Sequence, residues 1–188
     1  MKKGTIILLV ILALIALFVF SIFGSYNSLV ALDENVNTQW ANVESKLQRR
    51  YDLIPNLVES VKGAMAQEQE VFTAIADARS KLAGAGSTSE KVEASNQLEG
   101  ALSRLLVVVE NYPELKSNQN VTSLMDELAG TENRISTERD RYNAVVRDYN
   151  KAIRTFPRLI WARILGFEER PYFEATPGAE TAPEVNFD

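Results

Sequence analysis

The chain has 188 residues, of which 46% are hydrophobic and 24% charged, an ordinary balance for a single folded domain. Its net charge of −5 argues against nucleic acid as a partner, because binding a phosphate backbone requires a cationic face. Since the chain has no cysteine and no histidine, it lacks disulfides, thiolate and imidazole metal ligands and a Ser-His-Asp triad, and we expect no enzyme: no catalytic residue, no metal ligand and no cofactor.

The first predicted element is an apolar helix. Residues 5–23 carry no charge, and a helix of that length spans about 28 Å, close to the hydrocarbon thickness of a bilayer. We predict a transmembrane anchor over residues 5–24. Because Lys2 and Lys3 precede the run, residues 1–4 are expected in the cytoplasm and the remainder on the outer side of the membrane. A cleaved signal peptide is the alternative, but the run is longer than a signal peptide's apolar region.

An apolar seam with alternating spacings of four and three follows the anchor. It runs from Val36 to Leu82, and only Arg50 and Glu68 interrupt it, which predicts helix throughout. Pro55 lies inside the seam and removes a backbone hydrogen bond, so we expect a kink there and regard Pro55 as a candidate hinge. The segment is either one long kinked helix or two helices that reverse between about residues 62 and 70.

Two further helices are predicted after this seam. Gly84-Ala-Gly-Ser-Thr-Ser indicates a stop, and Ser87 with Glu90 has the pattern of a capping box for the next helix. The last long helix has a seam from Val121 to Phe156, interrupted by Glu132 and Arg139. Residues 168–188 are rich in Pro, Glu, Ala and Thr and are predicted to be extended or disordered.

These patterns predict an all-α fold. An N-terminal transmembrane helix precedes an antiparallel, up-and-down helical bundle over residues 25–167. The bundle has four helices, or three if the first is very long and kinked.

Several short motifs lie along the same helices. They are Gln39-Trp-Ala-Asn-Val43, Leu47-Gln-Arg-Arg-Tyr-Asp-Leu-Ile-Pro-Asn-Leu57, Tyr112-Pro-Glu-Leu-Lys116, Thr131-Glu-Asn-Arg-Ile135, Tyr142-Asn143, Tyr149-Asn150 and Phe156-Pro157. In combination they resemble the LemA family of bacterial membrane proteins. The resemblance implies a short N-terminal segment, one transmembrane helix and an antiparallel bundle of four helices. It implies little about activity, although a magnetosome-associated relative points to the organisation of membranes.

Four charged residues that interrupt the seams are candidate buried polar or interaction sites: Arg50, Glu68, Glu132 and Arg139. Burying a charge alone is unfavourable, so each is expected to be paired or to reach the surface. Their signs allow Arg–Glu pairs between the first and last long helices. A polar site that binds an ion or small ligand inside the bundle is the alternative interpretation.

Two asparagines on the last long helix are further candidates. Asn143 and Asn150 each follow a seam tyrosine, Tyr142 and Tyr149. We expect the tyrosines in the core with their hydroxyl groups satisfied at its edge. The asparagines are expected to form hydrogen bonds with a neighbouring helix or with another subunit.

The segment after Phe156 combines aromatic and cationic residues. Trp161, Arg163 and Phe167 are candidates either for a cap over the open end of the bundle, which is the preferred interpretation, or for an interfacial membrane helix.

We expect a membrane-anchored scaffold or interaction protein, held in lipid by residues 5–23. Its expected partners are further copies of itself or other membrane and envelope proteins, in a role of membrane or envelope organisation. The alternatives are a ligand- or lipid-binding sensory module and an adaptor for a membrane protease or transporter.

Overall fold

A computed structural model of the chain describes residues 3–174, and this part contains helices but no strand. The helices are α1 (Lys3–Lys62), α2 (Gln69–Gly84), α3 (Thr88–Val109), α4 (Pro113–Lys116), α5 (Gln119–Arg154) and α6 (Arg158–Leu165). The predicted all-α fold is confirmed. Residues 1–2 and the tail from residue 175 onward lie outside the described residues.

The chain divides into two compact units, which share α1 and α5. We call residues 3–41 with 141–172 the anchor unit, and residues 42–140 with 173–174 the bundle unit. Each unit has buried side chains of its own, and each is described separately below.

The bundle unit contains four helical segments, namely the end of α1, α2, α3 and the start of α5, together with the short α4. Its core consists of apolar residues that lie largely on the predicted seams, among them Ile54, Leu57, Val61, Ile75, Leu98, Leu105, Val121 and Leu128. α2 packs against α3, and only three residues connect the two helices, as expected for an antiparallel helical hairpin.

The long first segment is two helices. α1 ends at Lys62 and α2 begins at Gln69, so the three-helix alternative is wrong. Pro55 lies inside α1 without ending it. Glu68 falls at the N-cap position of α2 rather than on a helical seam.

The predicted capping box at the start of α3 is confirmed. The Ser87 hydroxyl accepts a hydrogen bond from the backbone N–H of Glu90, and the Glu90 carboxylate accepts one from the backbone N–H of Ser87. This reciprocal pair satisfies two donors that the first turn leaves unpaired. It explains why α3 begins directly after a short, glycine-containing connection.

The anchor unit begins with the apolar run, which is the first part of α1. Most of its large apolar side chains whose burial the structure describes are exposed, Phe20 to 76%, as expected for a surface that faces lipid. The same helix continues without a break into residues that pack inside the protein, of which Leu29 and Val36 are buried. α1 therefore changes from an exposed apolar rod to a core helix without a linker.

The anchor unit ends with an irregular segment. α6 stops at Gly166, whose φ of +76° is a left-handed conformation that glycine adopts at no steric cost. Residues 167–172, which we call the strap, have neither helix nor strand. The predicted extended tail therefore begins with residues that are held in place, as the contacts below show.

Candidate functional site

Arg50 lies in α1 and is 1% exposed. One terminal nitrogen donates a hydrogen bond to the Glu132 carboxylate at 2.7 Å. The other donates to the backbone carbonyl of Ser95 at 3.2 Å and also to its hydroxyl group. The guanidinium thus joins α1, α3 and α5, and its contact with Glu132 is an Arg–Glu pair of the kind that the signs allow between the first and last long helices.

The Arg50 site has little spare capacity for a ligand. Both terminal nitrogens have protein partners, and only Nε has no hydrogen-bond partner among residues 3–174. The Glu132 side chain is 35% exposed, so water still reaches the far side of the carboxylate. The arrangement is that of a structural cross-link in which the Glu132 carboxylate balances the charge of Arg50.

The other two seam charges have different partners from those expected. Glu68 accepts a hydrogen bond from the Tyr112 hydroxyl at 3.2 Å. Arg139 forms an ion pair with Glu99 at 3.6 Å and lies over the ring of Phe173, 4.3 Å from its centroid. Neither charge joins the first and last long helices, so only Arg50 and Glu132 follow the predicted pattern.

Two buried tyrosines of α5 hold the strap. Tyr142 and Tyr149 are each 1% exposed, and their hydroxyl groups donate hydrogen bonds of 2.9 Å to the carbonyl groups of Pro171 and Glu168. Burial raises the pKa of both phenols above its ordinary value, because the charged form is poorly solvated there. The expectation of core tyrosines with satisfied hydroxyl groups is confirmed.

Asn150 holds the middle of the strap through Arg170. Its side-chain amide donates to the carbonyl oxygen of Arg170 and accepts from the backbone N–H of the same residue, each at 2.9 Å. The Arg170 side chain pairs with Asp33 of α1 at 2.8 Å. Asn150 therefore binds the backbone of an irregular segment, whereas a neighbouring helix or another subunit was expected. Asn143 is half-buried on the same helix. We call Tyr142, Tyr149 and Asn150 the strap clamp.

The aromatic residues near the C-terminus pack on α1. The Trp161 ring meets the Phe18 ring edge-on, with centroids 5.3 Å apart, and Phe167 meets Tyr26 at 6.4 Å. Arg163 is exposed. Because Phe18 belongs to the apolar run, Trp161 lies against the anchor itself, as the interfacial alternative requires.

Several contacts were missed at the sequence level. Ser95 is spaced three residues from Val92 and Leu98, so its position on the buried face of α3 was readable from the sequence. The strap contains Tyr172, directly before Phe173, and aromatic residues are unusual in a disordered tail.

Two further features bear on ligand binding. Within the described part of the chain, no group of three or more acidic side chains is arranged to hold a metal ion. The bundle unit has a cleft of ≈ 320 Å³, bordered by Glu44, Tyr51 and Lys91.

The family model described as LemA family matches residues 39–187, which contain the strap clamp and the Arg50 site. The chain belongs to the LemA family. Magnetosome protein MamQ 2 of Paramagnetospirillum magneticum is 30% identical to this LemA-family chain, over 83% of the chain and 67% of that protein. Magnetosome protein MamQ of Magnetospirillum gryphiswaldense is 29% identical with the same coverage. Protein LemA of Metamycoplasma hominis is 26% identical over 73% of the chain and 63% of that protein.

Within residues 3–174, α1 is the one helix that is long and apolar enough to cross a membrane. Together with the family match, this helix indicates that the LemA-family chain is a membrane protein.

Proposed function

We propose that this LemA-family chain is a membrane-anchored helical scaffold that binds further copies of itself or other membrane and envelope proteins. The observation that carries the proposal is the continuity of α1 from the apolar run into the core. Leu29, the first fully buried apolar residue after the apolar run, lies six positions after Phe23, about 9 Å along the helix. Folded structure therefore starts close to the bilayer surface, which suits a protein that presents a surface at a fixed place.

The buried polar residues have structural partners and give no support to a chemical role. Arg50 and the strap clamp have protein partners that account for their burial. The chain has no histidine and no cysteine to act as base or nucleophile. Three similar proteins are named as magnetosome proteins, and by analogy with them we propose a role in organising the membrane or envelope.

We propose the bacterial inner membrane as the location, with the N-terminus in the cytoplasm and the folded part outside. The support is the pair Lys2 and Lys3 before the apolar run. Protease added to intact spheroplasts should digest the folded part of the full-length chain. Digestion only after the cells are lysed would show the opposite orientation.

Crosslinking in intact cells tests the scaffold role. A photoreactive residue at Val107, which is 64% exposed on α3, and at exposed positions on α2 and α5 should capture discrete protein adducts. Self-association gives an adduct of twice the chain mass, favoured because a bilayer raises the local concentration. The control is the same set of variants with residues 5–23 removed, which should lose the adducts. An absence of discrete adducts at every position would contradict the scaffold role.

A ligand-binding sensory module is the second candidate, favoured by the cleft beside Lys91. Its signature is saturable thermal stabilisation of the full-length protein by a defined small molecule or lipid. A Lys91→Ala variant should abolish that stabilisation if the cleft is the site.

A further inference from the structure

We propose that α6, with Phe156 before it, is an interfacial helix that lies at the boundary between the headgroups and the acyl chains of the bilayer that the anchor crosses. The partner is the lipid surface itself, recognised through an apolar face flanked by cations. The proposal rests on the anchor of the proposed function and adds a second membrane contact to it.

Trp161 lies at the level of the apolar run. Its ring packs on Phe18, which lies five residues, or about 7.5 Å, before the end of the apolar run at Phe23. A bilayer that covers residues 5–23 must contain Phe18, and therefore also the ring beside it. This depth falls within the 5–10 Å or so that an interfacial helix reaches below the membrane surface.

A second contact lies on the other side of Phe23. Phe167 packs on Tyr26, three residues beyond the apolar run. The rings of Trp161 and Phe167 thus contact α1 on either side of the point where the apolar run ends. Tryptophan and tyrosine are the residues enriched at this level of a bilayer.

The exposed surface of α6 and of the residue before Pro157 is rich in large apolar side chains. Ala162 is buried, whereas Phe156, Ile160 and Ile164, spaced four apart, are 75%, 45% and 68% exposed. Leu165 is also 43% exposed. This concentration of large apolar side chains is unfavourable in water, and burial in a lipid interface removes it from water.

Two exposed arginines border the apolar face of α6. Arg158 and Arg163 flank the apolar residues, are exposed, and form no ion pair with any residue between 3 and 174. Arg154, one turn earlier, is exposed and pairs with Glu169 at 3.7 Å. Guanidinium groups bind phosphate well, so Arg158 and Arg163 suit lipid headgroups at the edge of the apolar face.

Tryptophan quenching in vesicles tests the proposal on the full-length chain. The chain has two tryptophans, so Trp40→Phe leaves Trp161 and Trp161→Phe leaves Trp40 as the only emitter. Trp40 is the matched control, because it lies in α1 about 25 Å beyond Phe23 and packs on Tyr142. Both variants are reconstituted into phosphatidylcholine–phosphatidylglycerol vesicles that contain phosphatidylcholine brominated near the headgroup end of its acyl chains.

We expect most Trp161 emission to be lost in brominated vesicles, while Trp40 emission stays nearly unchanged. Equal, weak quenching of both, in protein that resists carbonate extraction, would overturn the interfacial helix and leave the anchor in place. Protein that is removed by carbonate would overturn the anchor and the interfacial helix together.

A second variant tests the exposed face directly. Ile160→Glu with Ile164→Glu, in the Trp40→Phe background, should abolish quenching of Trp161 and shift its emission to longer wavelength. Val107→Glu, a similar change at an exposed apolar residue of α3, should leave the quenching as it was. Full quenching in the double variant, with unchanged helical circular dichroism, would show that this face does not contact lipid.

Discussion

The two units accommodate buried polar groups in opposite ways. In the bundle unit, Arg50 interrupts an apolar seam and is matched mainly by side chains of two other helices, Glu132 and Ser95, with one further hydrogen bond to the Ser95 carbonyl. In the anchor unit, the strap clamp is matched by backbone groups of an irregular segment. A side-chain partner depends on one particular residue type, whereas a backbone partner is offered by any residue that follows the same path. The Arg50 site should therefore be sensitive to substitutions of its partners, and the clamp to the path of the strap.

The largest expected effect is at Glu132. Removing its carboxylate by Glu132→Ala leaves the buried Arg50 charge unpaired, which should lower the free energy of unfolding by about 3–5 kcal/mol. Glu127→Ala is the matched control on the same helix, because it removes the partner of Arg49, which is 59% exposed. The control should cost less than about 1 kcal/mol. Chemical unfolding of the detergent-solubilised chain, followed by circular dichroism, measures both.

A double variant sharpens the same point. Arg50→Met with Glu132→Met should recover much of the stability lost in Glu132→Ala, because no charge remains buried. Equal losses in Glu132→Ala and Glu127→Ala would show that burial of Arg50 does not set the strength of this contact.

The next effect is at the clamp. Asn150→Ala leaves the backbone N–H and carbonyl of Arg170 without their partner and should cost about 1–3 kcal/mol. Hydrogen exchange should show loss of protection at the Arg170 amide. Asn133→Ala, at an exposed asparagine of the same helix, should leave that amide protected. If Asn150→Ala left exchange at Arg170 unchanged, the strap would be held by other contacts.

The tyrosines predict a dependence on pH. Tyr142→Phe and Tyr149→Phe should each cost about 0.5–1.5 kcal/mol at neutral pH, the net value of one hydrogen bond. Since burial raises the pKa of both phenols, their stabilising effect is complete below the ordinary tyrosine pKa of about 10 and is lost as the pH rises through the folded-state values. The stability difference between wild type and the double variant should therefore shrink in strongly alkaline solution. A difference that is constant across this range would contradict the assignment.

The smallest effect is at the charged end of the strap. Asp33→Asn removes the ion-pair partner of Arg170, whose side chain is 39% exposed, so the cost should be below about 1 kcal/mol and decrease with added salt. Glu34→Gln, an exposed neighbour, is the control and should have no measurable effect. A loss as large as that of Glu132→Ala would remove the contrast between the two units.

The helices and their faces were readable from the sequence, and the partners of polar residues were readable only in part. The spacing of Val36 to Leu82 predicted the buried faces of α1 and α2, and Ser87 with Glu90 predicted the start of α3. The signs of Arg50 and Glu132 allowed their pairing but did not determine it. The partners of Glu68, Arg139 and Asn150 did not follow from the sequence, because periodicity reports which way a side chain faces and not what lies opposite.

The strap shows most clearly which contacts cannot be predicted from the sequence. Its composition indicated only an extended segment, since local preferences in residues 168–172 favour neither helix nor strand. Hydrogen bonds from Tyr142, Tyr149 and Asn150, each about twenty to thirty positions away along the chain, hold it in place.

The sequence alone predicted the apolar anchor, the helical seams and the capping box, because each depends on residues within a few positions of one another. The absence of thiol and imidazole groups follows from the composition. Folding was needed to bring Ser95 to Arg50, Arg170 to Asp33 and Trp161 to Phe18, which are far apart in the chain. Such contacts arise from the packing of whole helices, and packing depends on all the buried side chains together.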